Sequence, residues 1–101
     1  MSQLSPPVLV TAEPGRVSLA GSIDFDNARR ALADVAARIG EQRELIIDLG
    51  GVERSNSAGL ALMIDWLAQA RQRGHAVQFE NVPDGLRQLA RVCQVESLIA
   101  A

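Results

Sequence analysis

Lysine and tyrosine are missing from this chain of 101 residues, and histidine, cysteine and tryptophan occur once each. A lone Cys93 closes no internal disulfide, and with His75 as the single imidazole it completes no zinc site. All ten basic residues are arginine, set against 12 acids for a formal charge of −2, so the clustered positive charge of a nucleic-acid footprint is lacking. No apolar run approaches the roughly 20 residues that span a bilayer, and the longest is broken by Asp65. Met1 to Pro7 is polar and proline-containing, without the basic-then-apolar order of a secretory signal. These absences predict a cytoplasmic protein that takes no metal and no cofactor, is not inserted in a membrane, and reaches one only through a partner. What the chain has in quantity is apolar residues, 48% of the total, with 22% charged. That mixture argues against disorder, and the length fits one domain, residues 1–101, with a single core. The want of lysine beside fifteen alanines is read as compositional bias rather than chemistry.

The apolar spacing predicts an order of elements. Val8-Leu9-Val10 runs into Glu13-Pro14-Gly15, a turn signal, and Val17, Leu19 and Ile23 follow at partial period two, as in a β-hairpin. From Phe25 to Ile39 the period becomes helical, with Asp24 or Asp26 as cap and Gly40 after the end. Leu45 to Leu49 reads as a strand buried on both faces, and Gly50 to Asn56 as a loop. Ser57 to Arg73 is the strongest helix, closed by Gly74. Ala76 to Phe79 alternates as a strand. Pro83 suits the first position of a third helix whose buried stripe is Leu86, Leu89, Ala90 and Cys93. Val95 to Ala101 is either an edge strand or a docked tail. The order ββαβαβα plus a tail implies an α/β fold with a mixed, largely parallel sheet and helices packed on it.

The most specific stretch runs from Ile47 to Leu60. A buried strand leads through Gly50-Gly51 to a helix whose start holds Ser55, Asn56 and Ser57. Asn56 or Ser55 can cap that helix, which leaves Ser57 in the first turn beside unpaired N–H groups at the positive end of the dipole. An anion or phosphate is electrostatically welcome there. Equally, the three polar residues suffice as ordinary capping, worth about 1 kcal/mol.

Asn56-Ser57-Ala58-Gly59-Leu60, with Asp48-Leu49 before it and Gly21-Ser22-Ile23-Asp24 ahead of the first helix, resembles the STAS domain, the fold of anti-sigma-factor antagonists and sulfate-transporter tails. The element order matches over nearly the whole chain. Gly59-Leu60-Ala61-Leu62-Met63, with Gly74 ending the helix, is most similar to the STAS branch that serves as a small cytoplasmic subunit of phospholipid-transporting ABC systems. That resemblance implies a non-catalytic protein that binds the transporter's ATPase subunit and maintains outer-membrane lipid asymmetry. Ser57 matches the phosphoacceptor of the antagonists, which makes it a candidate phosphosite and a phosphorylation switch the alternative function. Asn56 stands where the family carries aspartate, a departure that bears on phosphorylation more than on binding.

At ~100° per residue, Leu60, Met63, Ile64, Leu67 and Ala70 fall on one stripe of the second helix, and Asp65, Gln69, Gln72 and Arg73 on the opposite face. Leu62 lies among those polar residues and Trp66 beside it, one turn on. The pair is either scattered exposure, with Trp66 folded down over the edge of the sheet, or part of a partner surface made of Asn56, Ser57, Ala58, Ala61, Leu62 and Trp66, with tryptophan as its anchor. Catalysis finds little support. His75 is far along the chain from Ser57, no G-x-S-x-G elbow or phosphate-binding loop is present, and Asp24 and Asp26 read as caps.

Overall fold

The structure, a computed structural model, describes residues 8–99; the readings of Met1 to Pro7 and of the last two residues of the tail lie outside them. Eight elements follow in chain order: β1 (Leu9–Glu13), β2 (Arg16–Ile23), α1 (Ala28–Glu41), β3 (Glu44–Ser55), α2 (Ser57–Gln72), β4 (Ala76–Glu80), α3 (Asp84–Val92) and α4 (Glu96–Ile99). The strands form one sheet in the order β1-β2-β3-β4. β1 and β2 make the antiparallel hairpin foreseen around Pro14-Gly15, and β2, β3 and β4 run parallel. Mixed sheet and order are those expected of an α/β fold with an N-terminal hairpin.

Register puts Val17, Ile47 and Phe79 side by side, and these residues, with Leu19, Leu45 and Leu49, are buried. The helices cover them with Ala31, Val35 and Ile39 of α1, and Leu60, Met63 and Trp66 of α2. The other face of β3 is not buried, contrary to the expectation of a strand covered on both sides: Ile46 and Asp48 are half-exposed. Here Arg16 of β2 reaches Asp48 of β3 at 2.8 Å and Glu80 of β4 at 2.6 Å, an ion network across three strands. Asp48 also accepts from the Asn81 amide and the Gly50 N–H, and these bonds with the Arg16 guanidinium hold its carboxyl below the usual range.

Several boundaries differ from the sequence reading. The stretch Gly50 to Ser55, read as loop, continues β3 because β2 still offers backbone partners: Ala20 pairs with Gly51, Gly21 with Val52 and Ile23 with Ser55, across two register shifts. α1 begins at Ala28 rather than Phe25, since Asp24 and Asn27 first close a turn, and it runs through Gly40. Gly74 does end α2: at φ 70° it lets its own N–H reach the Arg71 carbonyl while the His75 N–H reaches that of Ala70. Pro83 is the cap of α3, one place before the expected position. Cys93 is exposed instead of buried, because α3 stops at Val92 and Gln94 turns the chain at φ 61° before another helical turn can carry the thiol inward. Of the two readings of the tail, docking holds: α4 buries Ile99.

Candidate functional site

Helices α1, α2 and α3 each follow a parallel strand, so their N-termini gather beyond the C-terminal ends of β2, β3 and β4. That is where open α/β sheets place their sites. The centre of this end is the passage from β3 into α2. Ser55 ends the strand and its hydroxyl donates to the Asn56 carbonyl at 3.0 Å. Asn56 is the cap, accepting from the Ala58 N–H at 2.8 Å through its side chain, while its own N–H reaches back to the Ile23 carbonyl of β2 at 3.3 Å. At Gly59 a Cβ would displace the Ser55 hydroxyl from its present position and lie 3.1 Å from a Leu86 methyl, so strand, helix and α3 approach closely here. Beside the cap, a cleft of about 620 Å³ runs between Ser22 and Asp24 on one side and Pro83, Gly85 and Leu86 on the other, with Asn56 in its wall.

The six residues expected to form a partner surface divide. Asn56, Ser57 and Ala61 are exposed on the first turns of α2 and come together as one face. Ala58, Leu62 and Trp66 do not belong to it: they are buried, Trp66 completely, with its indole N–H donating to the Leu32 carbonyl of α1 at 3.2 Å. The reading of Leu62 and Trp66 as outward-facing is thereby corrected. It assumed that α2 has one neighbour, the sheet; α1 packs along its flank and widens the buried arc to take in both side chains. On the other flank Ile64 and Leu67, expected in the core, are only half-buried and line an open groove of about 670 Å³ with Val77 and Leu98.

The aromatic that faces outward is not Trp66, as the helical spacing led one to expect, but Phe25, 72% exposed in the turn between β2 and α1. The signal in the sequence was a large apolar ring between two acids, Asp24-Phe25-Asp26, in a stretch whose acids were read only as caps.

The geometry also separates groups that catalysis would have to join. His75 lies beyond the far end of α2, about 25 Å from Ser57 at 1.5 Å per residue. Its Nδ1 is 2.8 Å from the Ile39 carbonyl, which ties the exit of α2 to α1. Among the described residues no three His, Cys, Asp or Glu gather as a metal site would require, and no helix is long and apolar enough to cross a membrane.

Comparison with known proteins agrees with the architecture. The family described as the MlaB STAS domain matches residues 9–100. A chain of the Acinetobacter MlaFEDB complex in an ATP-bound conformation superposes with a TM-score of 0.73 at 30% identity, over 83% of this chain and 90% of that one. An anti-sigma factor antagonist from Mycobacterium paratuberculosis gives 0.71 at 21% identity, covering 95% of this chain and 86% of its own. The Bacillus antagonist SpoIIAA, unphosphorylated, gives 0.70 at 11%, covering 92% and 85%. These last two share the fold. No curated protein sequence matches. With a hairpin-led mixed sheet, a capped helix start at Asn56 and a family match over residues 9–100, the chain belongs to the MlaB-type STAS-domain family.

Proposed function

We propose that this protein is a non-catalytic subunit that binds the ATPase subunit of an ABC transporter for phospholipids, through the face formed by Asn56, Ser57 and Ala61. It would stabilise or regulate that ATPase without covalent change, and would lie on the cytoplasmic side of the inner membrane, held there by its partner. The observation that carries this reading is the likeness, over 83% of the chain and at 30% identity, to a chain of a complex named MlaFEDB and captured with ATP. The local geometry fits it. The first two turns of α2 present small residues, a hydroxyl and a methyl, on a rigidly capped helix, so a partner can approach the backbone closely and meet little side-chain entropy. Ala61→Arg tests the face: the side chain is exposed, so the melting temperature stays within a few degrees of wild type, while co-purification with the co-expressed ATPase subunit is lost. Retention of the ATPase by a folded Ala61→Arg protein would remove this face from the interface.

A second reading, a switch phosphorylated at Ser57 in the manner of an antagonist, is favoured by one observation: the Ser57 side chain is exposed at the first position of α2, where N–H groups and the helix dipole stabilise an anion. Added phosphate brings about −2 charge to the face and would expel a partner by repulsion and desolvation. Transfer of labelled phosphate from a kinase to wild type but not to Ser57→Ala supports the switch; absence of label on both leaves the permanent-subunit reading.

A further inference from the structure

In the sheet order β1-β2-β3-β4, β1 pairs with β2 on one side and, among the described residues, with no strand on the other. Edge strands are commonly blunted by charge, proline or a bulge. Between Leu9 and Ala12 none of these occurs: the register with β2 is unbroken, and Leu9 is 65% exposed. Alternation sends Val10 and Ala12 to the helix side of the sheet, where they share an open groove of about 280 Å³ with Ala33 and Ala37 of α1.

α1 walls that groove with a regular set of charges. Asp34, Arg38 and Glu41 line it, and Arg30, one turn before Asp34, falls on the same flank of the helix. All four side chains are exposed, and their signs alternate along α1: plus, minus, plus, minus. Such a set attracts neither an acidic nor a basic partner as a whole. Read backwards, though, the series is its own complement. A two-fold contact uses that property, because it sets a helix flank antiparallel to its own copy. Arg30 then faces Glu41 of the second copy, and Asp34 faces Arg38. The centre of this alignment is at Val35 and Ala36. The groove brings the stretch from Ala33 to Glu41 over Val10 and Ala12, whose midpoint is Thr11. One axis can therefore serve strand and helix together. About Thr11 the antiparallel strands match Val10 with Ala12, and Leu9 with Glu13, so the one charge of β1 meets an apolar side chain and not another acid.

We propose that two copies of this chain associate about a two-fold axis at Thr11, joining their β1 edges into one continuous sheet with the two α1 flanks facing each other above it. The proposal does not depend on the ATPase reading. Asn56, Ser57 and Ala61 lie on α2, and α1 stands between α2 and the β1 edge, so the dimer leaves that face open.

Sedimentation equilibrium of the purified full chain tests it, with wild type, Arg30→Glu, Glu41→Arg and the double variant. Each single reversal enters a two-fold interface twice and should weaken dimerisation tenfold or more. The double variant turns the series into minus, minus, plus, plus, which is again its own complement, and should return to within about threefold of wild type. Far-UV circular dichroism should not distinguish the four proteins, since both side chains are exposed; within one chain the reversal at Glu41 removes only its surface contact with Arg38, at 3.3 Å. A wild type that stays monomeric at about 1 mM would overturn the proposal. So would a dimer indifferent to the single reversals, or one that the double exchange does not restore.

Discussion

At Gly51 a Cβ would stand 2.8 Å from the Leu19 carbonyl oxygen and 2.9 Å from the Ala20 Cβ, so the backbone of β2 would have to move. At Gly85, in the first turn of α3, it would meet nothing within 4 Å. Gly51→Ala is therefore expected to destabilise the protein by about 1–3 kcal/mol, as overpacking does. Gly85→Ala should stabilise it by about 0.4–1 kcal/mol, because alanine loses less backbone freedom on folding. Urea titration of the two variants reads both signs, and a Gly51→Ala protein as stable as wild type would refute the close approach. Sequence shows the two glycines alike; only the neighbouring strand distinguishes them. Ser57 and Asn56 were legible at this scale, since a polar run before a helical period marks a cap whatever the fold. Phe25 was not, because exposure of a ring depends on whether a neighbour covers it.

Among the elements, α2 is where local reading and packing diverge most. Its length, its start at Ser57 and its stop at Gly74 follow from capping and from left-handed φ, both local properties. Which of its residues are buried does not, for a helical wheel supplies a period and leaves the number of neighbours open. With α1 on one side, Leu62 and Trp66 become interior. Trp66→Ala should consequently cost about 3–5 kcal/mol as a cavity in the core. Trp66→Phe should cost about 1 kcal/mol for the lost bond to Leu32, together with a smaller packing defect. Chemical denaturation measures both, followed by circular dichroism because Trp66 is the only tryptophan. If Trp66→Ala left stability intact and abolished partner binding alone, the burial described above would be wrong. The same reasoning accounts for Cys93, which periodicity continued into the core although the helix had already ended.

Over the whole molecule, Arg16, Asp48 and Glu80 couple β2, β3 and β4 on the sheet face away from the helices. The bonds from Asn81, Gly50 and Arg16 lower the Asp48 pKa in the folded protein. A lowered carboxyl pKa contributes stability that is fully present above the unfolded value of about 3.9 and lost as pH falls through the folded value. Asp48→Asn should then be less stable than wild type at pH 7, with the gap closing as pH drops below about 4. Urea midpoints of the two proteins between pH 7 and pH 2 check this, and a gap independent of pH would show that the Asp48 charge plays no part. Sequence placed Asp48 on a strand and said nothing of its partners, because Arg16 lies 32 positions before it and Glu80 a further 32 after.

By itself the sequence determined the order of strands and helices, the mixed sheet, the capped start of α2 and the family, since apolar period, turn residues and the run from Asn56 to Leu60 are local signals. Tertiary structure alone decided that Trp66 is core and Phe25 surface, that Gly50 to Ser55 is strand, and that one face of β3 carries ions. Each of those outcomes depends on what a neighbouring element covers or pairs, and burial and backbone pairing are set by segments distant in the chain.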